Sequence, residues 1–159
     1  MPPRNKDNDI GLAPEAPASA DYERDVYAWS QEQARLIRDG RWEAIDRENV
    51  AEEIESVGRT EFNQLVSALR VLMLHMLKWD HQPERRTRSW VLSIRVQRND
   101  LDDALADNPS LKPRIAEAMT RAYRSARVEA AKETGLDEDM FPAKCPYSFE
   151  DIRDRIFSL

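Results

Sequence analysis

The chain has 159 residues, 34% charged and 41% hydrophobic, a length and balance that suit one domain able to bury a core without disulfides or metals. A net charge of −6 argues against a generally nucleic-acid-seeking surface, and a single cysteine, Cys145, excludes an internal disulfide. No apolar run reaches the ~18 residues of a membrane span or forms the core of a signal peptide, so the expected location is the cytoplasm, with no membrane partner.

Residues 1–20 hold four of the nine prolines and few large apolar side chains, which predicts a flexible tail ahead of a domain over 21–159. A first helix is expected from an N-cap at Asp21 to a stop at Gly40, with Tyr22, Val26, Trp29, Leu36 and Ile37 on its inner stripe. Trp42 then reads as an anchor folded back from a short connection. A second helix follows Asp46, carrying Val50, Ile54 and Val57 on one side and Glu48, Glu52 and Glu55 on another. Gly58 offers its stop, and Thr60 can cap the next helix.

That next helix, Phe62 to Trp79, is apolar on nearly every face and must be wrapped by neighbours, which makes it the centre of the fold. Pro83 marks a turn, and a fourth helix begins near Thr87 or Ser89 with Trp90, Ile94, Leu101 and Leu105 inward. Gln97 occupies a place on that stripe where an apolar residue is expected. A fifth helix starts around Asn108–Pro109 or a turn later, carries Leu111, Ile115, Met119, Ala122 and Ala126, and ends at Gly135. The small residues Ala118, Ala122 and Ala126 would let another helix approach closely. Leu136 to Tyr147 reads as a loop strapping the bundle, and Ser148 to Asp151 as a capping box before a short last helix with Ile152, Ile156 and Phe157. No segment alternates as a strand would, so the fold class is all-α, a bundle of about five or six helices.

Two polar constellations stand out. Glu48, Glu52 and Glu55 share a helix face of the kind that is solvated or answered by a cation such as Arg59, and His75 reads first as a buried structural histidine; if Glu52 and Glu55 instead turn into the bundle with His75, they would make a divalent metal site or an acid–base pair. Against the metal, the chain lacks the Glu-x-x-His pairs of helix-bundle carboxylate sites, so no cofactor is predicted outright. Arg85, Arg86, Arg88, Arg95 and Arg98 form the second group: the first three crowd the entrance of the fourth helix, where they oppose the macrodipole and call for an anion, and the last two lie three residues apart along it. Either the acidic face of the second helix answers them, with Gln97 in the same buried network, or a phosphate of a nucleic acid or small ligand does. Cys145 reads as a packed thiol, since no nucleophile grouping surrounds it.

The succession DVYAWSQEQARLIRDGRW, ENVAEEIESVGRTE, LHMLKWDHQPERRTRSW, IRVQR, NPSL, AYRSAR, ETGL and CPYSFED resembles the bacterial family called domain of unknown function 29, over roughly residues 21 to 156. The pattern is most recognisable at Glu52, Glu53, Glu55, Gly58, Arg59, His75, Lys78, Trp79, Gln82, Pro83, Arg86, Ser89, Trp90, Gln97 and Arg98. The resemblance implies an all-helical cytosolic domain and brings no activity or catalytic residue with it. With no complete catalytic motif, the leading expectation is a non-enzymatic interaction or regulatory module, with an unknown protein partner or a homodimer. The alternatives are an enzyme or ligand-binding protein using Glu52, Glu55, His75, Arg86, Gln97 and Arg98, and nucleic-acid binding through the arginines.

Overall fold

A computed structural model describes residues 21–159; the expected tail, residues 1–20, lies outside them. The described residues hold five α-helices joined by short 3₁₀ turns, and no strand. They fall into two compact units, the first ending at Ile54 and the second running from Glu55 to Leu159.

In the first unit α1 spans Val26–Arg38. It starts later than the sequence suggests because Asp25, not Asp21, caps it, accepting the Ala28 amide at 2.9 Å. Its end follows from Gly40, whose φ of 69° lets the Arg41 amide reach back to the Leu36 carbonyl at 2.9 Å. Trp29 and Leu36 are buried, whereas Val26 and Ile37 are exposed, so the inner stripe is narrower than its periodicity implies. Trp42 sits in a 3₁₀ turn and is 59% exposed, which removes its expected role as an anchor.

The largest departure is α2, a continuous helix over Arg47–His81 in place of the two expected. Gly58 does not stop it, since a glycine ends a helix only where the chain turns left-handed, and positive φ among the described glycines is confined to Gly40 and Gly135. Thr60 caps nothing; its hydroxyl donates back to the Ser56 carbonyl at 3.0 Å, as a mid-helix threonine does. Ile54 and Val57, expected on a buried stripe, are 67% and 65% exposed. A Cβ at Gly58 would meet nothing within 4 Å. Gly58→Ala should therefore stabilise the protein by about 0.4–1 kcal/mol, through a less flexible unfolded chain and a better helix former, read as a higher urea midpoint.

In the second unit the rest of α2 is the centre: Leu65, Leu69, Leu72, Met73, Met76 and Leu77 are fully buried, at about 1.5–3 kcal/mol each. α3 (Arg88–Asp107) is capped by Thr87 and buries Ile94, Leu101 and Leu105. α4 (Ile115–Thr134) follows a 3₁₀ turn over Pro109–Arg114 and ends at Gly135 with φ 73°. Asn108 links to Glu61 at 2.9 Å near the start of the core, and Lys78 lies 4.7 Å over Trp90 at the far end, so α3 runs antiparallel to α2. Arg70 pairs with Glu129 and Lys78 with Glu133, which sets α4 parallel to α2. Ala118, Ala122, Ala126 and Ala130 form one buried row on α4. The strap behaves as expected, with Phe141 and Tyr147 buried, and Ser148 and Asp151 form the capping box of α5 (Phe149–Asp154). Of the last apolar residues Ile152 and Phe157 are buried, but Ile156 is 87% exposed.

Candidate functional site

The alternative site of Glu52, Glu55 and His75 requires them to converge, and Glu55 and His75 do not. Glu55 and His75 lie twenty residues apart on the one continuous helix α2, about 30 Å along its axis, too far to share a ligand or a proton. Glu55 is exposed and faces Arg59 at 3.7 Å; Glu52 is exposed as well. Their neighbour Glu53 accepts a 2.6 Å hydrogen bond from Tyr22, which pushes the phenol up to about 12. Among the described residues no group of three or more His, Cys, Asp or Glu side chains is arranged to hold a metal ion.

His75 is partly buried, and its Nδ1 has no hydrogen-bond partner. Burial holds its pKa below the ordinary value, Lys78 acts in the same direction, and Glu133 opposes them, so the ring is neutral near pH 7. His81 is the last residue of α2, with Nδ1 2.9 Å from the Leu77 carbonyl and its ring 4.6 Å from Phe141.

The arginines find carbonyls instead of the expected carboxylates. Arg86 donates to the Trp79 carbonyl at 3.0 Å and lies on the Trp79 ring. Arg98 donates to the Ile152 and Arg155 carbonyls, both at 2.8 Å, and so closes the end of α5, where helix carbonyls lack partners. Burial lowers the Arg98 pKa, with Asp154 and Asp102 acting against it. Gln97 is half-buried and bonds Asp100 at 3.0 Å, outside any buried network. Arg85, Arg88 and Arg95 are exposed.

The strongest polar cluster escaped sequence reasoning. Asp80 accepts from Tyr147 at 2.9 Å and from both Arg155 nitrogens, at 3.0 and 2.5 Å. Burial would raise the Asp80 carboxyl, but the Arg155 and Tyr147 hydrogen bonds outweigh it and hold the pKa low. Burial, with Asp80 behind it, pushes the Tyr147 phenol up. This cluster fastens the strap and α5 to the end of α2. The only signal for it was a charged residue next to Trp79 and an arginine near the C-terminus, which pair across 75 positions.

Among the described residues, two grooves bear most directly on binding. A groove between α2 and α3 is apolar at its middle, where Val71 meets Leu92 and Val96, which are 45% and 54% exposed. Arg88 lines one end, and Glu61, Asp100, Asp103 and Asp107 line the continuation past Val71 and Gln97. A second groove of about 550 Å³ lies between α4 and the strap, lined by Arg121, Tyr123, Arg124, Val128, Lys144 and Cys145 among others. Cys145 is half-buried there, its thiol pushed up by burial against the opposing hydrogen bond to the Tyr147 carbonyl.

The described residues define an all-helical protein. Over residues 22–158 the chain matches the model of the family described as Domain of unknown function DUF29, and it belongs to that family. No curated protein and no solved structure matches it. Among the described residues no helix is long and apolar enough to cross a membrane.

Proposed function

We propose that this protein is a non-enzymatic interaction module that docks a second copy of itself through the groove between α2 and α3. The observation that carries the reading is the order of charge along that groove: Arg88, then exposed Leu92 and Val96, then Glu61, Asp100, Asp103 and Asp107. A surface positive at one end, apolar in the middle and negative at the other complements itself when turned by a two-fold axis through its centre. Arg88 of each copy then meets the carboxylates of the other, and the exposed Leu92 and Val96 side chains cover one another. The enzymatic alternative draws no comparable support, because its carboxylates and histidine do not converge.

Sedimentation equilibrium across a concentration series tests the reading. A dimer that weakens as salt is raised is expected, since exposed charge pairs are screened. Arg88→Glu and Asp103→Arg should each weaken the dimer alone and form a mixed dimer when combined. A monomer at every concentration, or variants that dimerise as well as the unaltered chain, would overturn it.

A further inference from the structure

We propose that the groove between α4 and the strap is a binding site for a small amphipathic oxyanion, a molecule with an apolar body and a carboxylate or phosphate head. Its volume of about 550 Å³ lies within the range of small-molecule pockets. Val128 and Ala143 supply apolar wall on either side, with the buried Tyr123 ring and half-buried Cys145 as floor. The Tyr123 hydroxyl is already spent, donating to the Pro142 carbonyl at 2.5 Å, so what that residue offers a ligand is its ring.

The charge of the lining selects the head group. Arg121, Arg124, Arg127 and Lys144 face a single carboxylate, Glu138, in a chain whose total is −6. Arg127 is committed: it donates to the Phe141 and Glu138 carbonyls and pairs with Glu138 and Asp139, which neutralises the one acid and fixes the strap as a wall. Arg121 is drawn aside, its guanidinium 5.3 Å over the ring of Phe62, which lies outside this groove. Arg124 and Lys144, both exposed, stand on opposite sides of the groove. With Glu138 taken by Arg127, Arg124 and Lys144 face no carboxylate among the residues that line the groove. A planar oxyanion held by Arg124, with Lys144 closing from the strap, pairs both while its apolar body lies along Val128. No bond is made or broken in binding, and burial pushes the half-buried Cys145 thiol up, which slows its alkylation without preventing it.

Cys145 is the only cysteine, so its alkylation by iodoacetamide reports on this groove alone. The probes are 4-phenylbutyrate and phenyl phosphate, with inorganic phosphate as the head without a body and 4-phenylbutanamide as the body without a charge. At a probe concentration ten times its Kd, alkylation of the full chain should slow about tenfold by mass action. Arg124→Gln combined with Lys144→Gln, at exposed positions, should weaken that protection about tenfold or more. Calorimetric titration of the same four probes reads binding independently of thiol access, and the tighter of the two anions shows whether the head is carboxylate or phosphate. Absence of heat and of protection with both anions would overturn the site. Equal binding of the amide would overturn the oxyanion head, and equal binding of inorganic phosphate the apolar body.

Discussion

Phe141→Ala is expected to cost about 3–5 kcal/mol of stability, the largest loss from any single change in the strap. Phe141 is 1% exposed and lies against the His81 ring at the end of α2. Part of such a loss is the transfer of the ring out of the core, and part is the cavity left behind, which depends on how far the surroundings can collapse. Here they are held. The Phe141 carbonyl accepts from Arg127, the Pro142 carbonyl from Tyr123, and Tyr147 is bonded to Asp80, so the backbone on either side cannot follow a shortened side chain inward. The cost should accordingly fall in the upper part of the range. Urea unfolding reads it as a lower midpoint at unchanged slope. Met140→Ala, next door but 60% exposed, should stay within about 0.5 kcal/mol. A loss below about 1 kcal/mol for Phe141 would mean that the strap is not part of the core.

What the sequence revealed, and what it hid, follows the reach of each interaction. Helix ends written in local chemistry were legible: Gly40 and Gly135 at positive φ, Thr87 before α3, and the Ser148–Asp151 box. The centrality of residues 62 to 79 was legible because a helix apolar on all sides has one stable environment. Gly58 misled because a glycine permits a stop without requiring one. Ile54 and Val57 misled because periodicity says which side chains share a face and not whether anything packs on it. The polar residues were harder still. That Arg86 and Arg98 are taken up by carbonyls depends on which helix ends come within reach, Trp79 for one and Ile152 and Arg155 for the other. Nothing within a few positions of either arginine encodes that. The row of alanines on α4, by contrast, was readable at once as a close approach.

That row gives the second large effect: Ala122→Leu should destabilise the protein by about 1–3 kcal/mol or more, although leucine is nearly as good a helix former as alanine. Ala118, Ala122, Ala126 and Ala130 are all fully buried, and they belong to the same core cluster as Leu65, Leu69, Leu72 and Met76 of α2. Small side chains at this spacing set the distance between the two helices. Interiors are close-packed and Ala122 is 0% exposed, so with three added carbons either the leucine leaves its preferred rotamers or α4 stands further from α2. The second route also disturbs the Arg70–Glu129 and Lys78–Glu133 pairs that join the same two helices. Lys78 is buried and its charge would lose its partner, which makes retreat of the helix costly as well. At roughly 2–4 °C per kcal/mol for a chain of this size, the melting temperature should drop by about 2–12 °C. Ser125→Leu makes a larger change of polarity on the exposed side of the same helix and should leave the melt nearly unchanged. If the two variants melt together, the alanines are not what brings α4 onto α2, and the contact must be set by the ion pairs alone.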